Sequence, residues 1–415
     1  MKEYYDLVIV GGGMVGASLA CALMPVLESL DLNIAVVESY PLPEEEALSF
    51  QPSYDARSTA LAYGSRTIYE QMGVWDVLKT HLSAIKNIHV SDKGHFGVTR
   101  LSAEKEKVAA LGYVVENQWL GRVLLDHLRR ADTTRLDFIC PADVTGIQPS
   151  ASLMEVSLTT ESTKHKLNCE LVVMADGGRS SLREQMGISY TQTTYEQHAV
   201  IANVSADRGH QNVAYERFTD KGPMALLPLE DEGGYHRSAL VWTVPDESVD
   251  DVLGLDDQAF MALLHERFGY RAGNFIKVGE RASYPLKLTV ADEQVRQGVV
   301  VLGNAAHSLH PIAGQGFNLA LRGVVALVDT LLQAKKQNKS LGDLALLQSF
   351  YDRQKGDQER TIGFSDRTMK LFSNNQPLLA LGRNLGLQLL DVCPPAKTVL
   401  ARSAMGLDMP APELK

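Results

Sequence analysis

The chain has 415 residues, a formal net charge of −10, and 45% hydrophobic and 22% charged residues, enough apolar material for two or three structural units around a large core. Its acidic balance, with a pI near 5.6, argues against a nucleic-acid partner, because phosphate binding needs a dense basic surface. Cys21, Cys140, Cys169 and Cys393 are far apart and form no CxxC pair, which argues for a reducing compartment and against a disulfide framework.

Residues 7–27 carry no charge, a run long enough to suggest a membrane span or a signal segment. Four glycines interrupt it, however, and Glu3 and Asp6 stand where a signal segment carries positive charge. A buried parallel strand at 5–10, a tight turn and a helix at 14–30 account for it better. Residues 33–38 follow as a second buried strand, completing a βαβ unit. Further apolar strands are expected at 171–175 and 299–303, each ending in a polar residue and a glycine-containing loop before a helix. Between them, residues 190–284 alternate in polarity, most clearly at 199–204, 213–218 and 238–244, as in an antiparallel sheet with one solvated or ligand-facing side. Beyond Asp343 the pattern is helical.

The expected fold is α/β. A Rossmann-like dinucleotide domain is assembled from residues 1–75, 105–188 and 280–345. A mostly antiparallel β-rich substrate domain is inserted as 76–104 and 189–279, and residues 346–415 form a C-terminal helical region.

Three stretches carry chemistry. Gly11-Gly12-Gly13-Met14-Val15-Gly16 fits GxGxxG between a strand and a helix. Gly11 permits the turn, Gly13 lets the backbone approach a pyrophosphate, and Gly16 allows close helix–strand packing. The helix N-terminus offers free N–H groups to the phosphates. Glu38, 22 residues beyond Gly16, is placed to accept ribose hydroxyls. The second stretch, Asp176-Gly177-Gly178-Arg179-Ser180-Ser181-Leu182-Arg183, reads locally as a strand end, a glycine turn and a capped helix start. In the third, Gly303-Asn304-Ala305-Ala306-His307 runs on to His310-Pro311-Ile312-Ala313-Gly314-Gln315-Gly316-Phe317-Asn318, where a helix opens with its positive dipole end. His307 and His310 have i, i+3 spacing, but no third ligand is near, so no metal is expected.

In this order the three stretches resemble the FAD-dependent aromatic hydroxylases, the class A flavoprotein monooxygenases. The run from His310 to Asn318 resembles the signature of their ubiquinone-biosynthesis branch, the likeness extending to Asp55-Ala56-Arg57 and Glu216-Arg217-Phe218. His89 to His95, with Val200 to Val204, resembles in particular the 2-polyprenyl-6-methoxyphenol hydroxylase type. The resemblance implies FAD, with NADPH or NADH and O2 as co-substrates, and hydroxylation through a flavin C4a-hydroperoxide. It assigns Gly11, Gly13, Met14, Val15, Gly16 and Glu38 to the ADP half, and Arg57 to the pyrophosphate. Asp176 and Gly177 belong to a motif associated with both FAD and the pyridine nucleotide. Gly303 falls to the cofactor site, Asn304 to the ribityl and phosphate region of FAD, and Pro311, Gly314, Gln315, Gly316, Phe317 and Asn318 to the flavin-ring environment. Asn304 stands where most relatives have aspartate, and Ala320 and Gly323 replace a glycine and an acid. No second GxGxxG is present, so the nicotinamide is expected to dock transiently.

No side chain stands out as a base. Tyr195, His198 and Tyr215 could relay a proton, but a structural role is the stronger expectation for each. Residues 376–407 are apolar, with Arg383, Lys397 and Arg402 against Asp391. They suit either a cover for the flavin domain or a contact with an anionic membrane or other ubiquinone-biosynthesis proteins. The expected setting is cytoplasmic, peripheral to the inner membrane, with a polyprenyl-phenol substrate. The same chemistry on another ubiquinone intermediate or on a small soluble phenol, and a non-catalytic flavin-binding subunit of a biosynthetic assembly, are the competing readings. Trp75, Trp119 and Trp242 stand alone, so the WxWxIP motif of flavin halogenases is absent.

Overall fold

The computed structural model describes residues 1–41, 57–95, 97–161, 163–178, 180–311, 314–372 and 377–407. Asp55, Ala56, Arg179, Ile312, Ala313 and Gln376 of the stretches above lie outside them, as does the side chain of Arg383. The expected α/β architecture is present as a Rossmann-like sheet. Tyr4–Val10 runs parallel between Ile34–Val37 and Thr163–Met174, with Leu136–Ile139 and Val299–Val301 flanking them. Side chains alternate across a strand. Leu7 and Ile9 therefore enter one buried cluster with Ala17 and Leu19, while Val8 and Val10 enter another with Val172 and Val299. A sheet buried on both faces explains the unbroken apolar runs.

The first helix is shorter than the sequence pattern suggests. Met14–Leu23 gives way to a 3₁₀ turn, Met24–Val26, because Pro25 has no N–H to continue the ladder. Among the described residues, Gln315–Lys336 is the one helix long and apolar enough to cross a membrane. It packs between Met14–Leu23 and Leu344–Phe372 and is mostly buried, as a core helix is.

The second sheet is antiparallel except for one parallel pair, Val213–Thr219 with Asn87–Asp92. Its longest strand, Tyr190–Ala206, extends well beyond the segment expected at 199–204 and shifts register between Thr194 and His198, where Glu196 adopts φ 53°. Ala282–Ala291 and His307–Ser308, grouped in the sequence with the dinucleotide segments, pair within this sheet instead. Alternating polarity had marked the neighbouring strands, but Ala282–Ala291 follows no clean alternation. Ser58–Ala62, Gly112–Glu116 and Ser83–Ile85 form a separate small antiparallel sheet. Beyond Asp343, whose carboxylate caps Leu346 N–H at 2.9 Å, come the helices Leu344–Phe372, Pro377–Val392 and Pro394–Ala404.

Candidate active site

The strand register brings the three sequence stretches to one edge. Val10 pairs with Met174, and Met174 with Val301, so the loops that follow leave adjacent strands at the same level. This is the carboxyl end of a parallel sheet, where such folds bind their ligands. Gly11 has φ 102°, and a Cβ there would stand 2.7 Å from the Ala175 carbonyl oxygen. At Gly16 a Cβ would lie only 1.9 Å from the Gly11 carbonyl oxygen, whereas at Gly13 it would meet nothing within 4 Å. The space over Gly13, at the helix N-terminus, is thus left open. Glu38 accepts the Gly12 N–H at 2.6 Å and the Tyr40 N–H at 2.9 Å, which fixes its carboxylate beside the glycine turn.

In the second stretch, Asp176 accepts the Gly178 N–H at 3.0 Å and also bonds the Ser180 hydroxyl, holding a turn in which Gly177 has φ 71°. Arg183 donates to Gly178 O at 2.7 Å and to Ala305 O at 2.6 Å. That guanidinium ties the second stretch to the third. Gly303, at φ 64°, leaves a Cβ position 3.0 Å from Val15. Asn304 is exposed beside it. Arg57 is also exposed, at the end of the undescribed segment.

Gly314 (φ 59°) caps the helix Gln315–Lys336. Asn318, one turn in, is almost fully buried and uses its whole amide within the chain. Its Oδ1 accepts from Ala62 N–H and Ser65 Oγ at 2.8 and 2.7 Å, and its Nδ2 donates to Ala60 O and Gly314 O, both at 2.8 Å. It is a brace between the glycine loop and the strand Ser58–Ala62. Nothing local marks this role, because Ala60, Ala62 and Ser65 lie more than 250 residues away in sequence.

A cavity of about 670 Å³ opens from this loop, bounded by Pro311, Gly314, Gln315 and Gly316 at one side. Leu227, Val241 and Ala225 of the antiparallel sheet form another wall, and Leu387 and Leu400 of the last two helices close it. Its size is that of a small-molecule site. The C-terminal helices thus act as a cover. Lys397 is nearly buried and paired with Asp391 at 2.7 Å, so it adds no basic patch.

His307 and His310 are buried, which pushes both imidazoles down to about 4, and no cluster of metal-binding side chains occurs among the described residues. Tyr195 donates to Asp366 at 3.2 Å and packs edge-on against His310. His198 pairs at the surface with Asp246, and Tyr215 packs on Phe268 and His89. None of these three lines the cavity. Two titratable groups of the sheet do so, Tyr284 and the carboxyl of Glu216, next to Tyr215. Strand alternation could have found Glu216, since Ala214 and Phe218 share its face.

Residues 4–345 match the FAD binding domain family. The chain belongs to that family. As a flavoprotein it is 34% identical over 413 residues to the ubiquinone hydroxylase UbiL of Rhodospirillum rubrum, a match covering 98% of this chain and 91% of that protein. It is 28% identical over 438 residues to the mitochondrial ubiquinone biosynthesis monooxygenase COQ6 of Homo sapiens, covering 95% and 91%. Its fold matches that of p-nitrophenol 4-monooxygenase PnpA from Pseudomonas putida DLL-E4, with a TM-score of 0.78 at 18% identity, over 99% of this chain and 100% of that one. The flavoprotein is an FAD-dependent aromatic monooxygenase. The residues present fit the cofactor: open space over Gly13, an anchored carboxylate at Glu38 and an exposed amide at Asn304 lie along one sheet edge.

Proposed function

We propose that this flavoprotein hydroxylates the ring of a polyprenylated phenol, 2-polyprenyl-6-methoxyphenol, in ubiquinone biosynthesis, with NADPH or NADH and O2 as co-substrates. The observation that carries the reading is the aliphatic wall of the cavity beside Gly314 and Gln315. A prenyl tail gains roughly 25 cal/mol per Å² buried against such walls, whereas a small phenolic acid would lose hydration there without a matching partner. The ubiquinone hydroxylase and monooxygenase names of the relatives support the pathway.

In this reading Gly11, Gly13, Met14, Val15, Gly16 and Glu38 hold the ADP half of FAD, and Arg57 contacts the pyrophosphate. Asp176 and Gly177 serve both FAD and the pyridine nucleotide, Gly303 and Asn304 hold the ribityl and phosphate region, and Pro311, Gly314, Gln315, Gly316 and Phe317 surround the flavin ring, with Asn318 bracing their loop. The bound flavin, reduced by NAD(P)H, activates O2 and supplies the oxygen atom. The chain's own part is to orient the phenol, to keep water out with the sheet and the C-terminal helices, and to present the positive end of the helix Gln315–Lys336 to an anionic ring. With FAD-loaded protein, a short-tailed 2-polyprenyl-6-methoxyphenol is expected to accelerate NAD(P)H oxidation and yield a product one oxygen heavier. Equal or better turnover of small phenolic acids would sink the substrate assignment.

The same reading makes the protein cytoplasmic and peripheral to the inner membrane, in contact there with other ubiquinone-biosynthesis proteins through its last helices. Leu389, Val392 and Val399 are exposed at 65, 75 and 66%, on the helices that cover the cavity. A Leu389→Asp/Val392→Asp variant is expected to lose binding to anionic vesicles in a sedimentation assay. Negligible binding by the unaltered protein would remove the membrane contact.

A further inference from the structure

Glu216 sits in the middle of the cavity's sheet wall. Side chains alternate along Val213–Thr219, so Ala214, Glu216 and Phe218 face the cavity, while Tyr215 packs on the other side against Phe268. Across the sheet, Glu216 is flanked by Val90 and Ala225, and Ala225 by Val241. All three neighbours are aliphatic and line the same space. Glu216 is partly buried and lines the cavity, and no described residue gives its carboxyl a hydrogen bond or an ion pair. An unpaired acid in an apolar wall costs free energy that nothing in the fold returns. Burial alone pushes it up to about 8.

The other titratable and charged groups of the cavity are already engaged or titrate elsewhere. Arg322 and Asp357 pair at 2.6 Å, burial pushes His310 down to about 4, and burial raises the Tyr284 phenol. Arg360, on the same helix as Asp357, also lines the cavity. Asp92, at the end of the neighbouring strand, accepts from Asn384 at 3.2 Å. Glu216 is left as the cavity group whose ionisation falls near neutral pH.

We propose that Glu216 is the catalytic base that takes the phenolic proton of the bound substrate as its ring is hydroxylated. The inference rests on the aromatic hydroxylation proposed above and names the group in this chain that activates the ring. The phenol O–H bond breaks, its proton moves to a Glu216 Oε, and the electron pair stays on oxygen, enriching the ortho and para carbons. One atom of O2 bonds to such a carbon as a hydroxyl and the other leaves as water, with NAD(P)H providing the two electrons as a hydride and solvent providing one proton. The substituted carbon then releases its hydrogen as a proton, and Glu216 returns the phenolic proton to the ring oxygen. Glu216 is regenerated, and the balance is that of a monooxygenase. A base matched to working pH is the efficient one for such a transfer.

The test is single-turnover hydroxylation of the short-tailed phenol by reduced, FAD-loaded wild type, Glu216→Gln and Glu216→Asp across the pH range around neutrality. The wild-type rate should climb with pH and level off above about 8. Glu216→Gln should be slower by about 100-fold or more and flat with pH, with flavin reduction unchanged, and Glu216→Asp should restore part of the rate and the pH rise. A Gln variant that keeps both the rate and the pH rise overturns the proposal. Folding gives an independent readout. The folded carboxyl titrates above its ordinary value of 4.5, near 8, so the wild type holds protons that the unfolded chain has lost and is destabilised as pH rises through that window. The melting temperature of Glu216→Gln should therefore gain on the wild type across it, and parallel curves would count against the proposal. If the wild type hydroxylates only small phenolic acids, the prenyl substrate fails, and Glu216 is judged by the same comparison on those acids. No hydroxylation of any phenol by wild type overturns both.

Discussion

Alanine at position 16 is expected to leave the purified protein nearly free of flavin and to lower its stability by about 3 kcal/mol or more. The added Cβ would stand 1.9 Å from the Gly11 carbonyl oxygen and 3.2 Å from Ile9 Cγ2. Neither neighbour can retreat alone, because Gly11 N–H is bonded to Val37 O at 2.8 Å and Ile9 is in the core. The helix Met14–Leu23 must therefore lift from the strand Tyr4–Val10, taking its N–H groups away from the phosphates. Gly13→Ala is the companion measurement. Its backbone is ordinary, with φ −66°, and its Cβ meets nothing of the protein within 4 Å, so melting without FAD should be unchanged while FAD affinity falls. Flavin absorbance per protein and thermal melting separate the two. Normal flavin content in Gly16→Ala would contradict the packing described here.

The second large effect is expected at Arg237, a guanidinium with no exposed surface that pairs with Glu116 at 2.5 Å. Arg237 belongs to the antiparallel sheet, whereas Glu116 ends the small sheet that leads to Ser58–Ala62, so the pair fastens the cavity's two supports. Arg237→Met leaves a nearly buried carboxylate without its cation and should cost about 3–5 kcal/mol in denaturant unfolding. Arg237→Met/Glu116→Leu should recover most of that loss, because two apolar side chains remove the desolvation penalty along with the pair. A double variant as unstable as the single one would show that these side chains act through packing instead.

The glycine turn was legible in the sequence because its constraint is local: steric limits at Gly11 and Gly16 are written into neighbouring residues. The meeting of Gly11, Asp176 and Gly303 was partly legible, since each follows an apolar strand of the kind that parallel sheets align. What escaped depends on distant partners. Nothing near Asn318 announces that its amide will brace Ala60 and Ala62. Likewise, nothing near Lys397 announces that it will pair with Asp391, which leaves Arg402 as the exposed cation of the last helix. Glu216 lay between. Its alternating strand was visible, but which face borders the cavity is decided only when sheet and helices pack. Pro25 shows the reverse case, a local signal strong enough to end the helix that overall apolarity seemed to extend.

The brace at Asn318 and the walls at Leu387 and Leu400 also bear on how this protein is made. The first strand finds its parallel neighbour Thr163–Met174 only after more than 150 residues, and the cavity gains its cover only from the final segment. While the ribosome is still at work, the flavin site is necessarily half-built, with the apolar wall of the sheet open to its surroundings. Such a nascent chain should depend on chaperones until its last helices emerge, and a nonsense change as late as position 395 would leave a protein that holds much of its fold but cannot shelter its reaction from water.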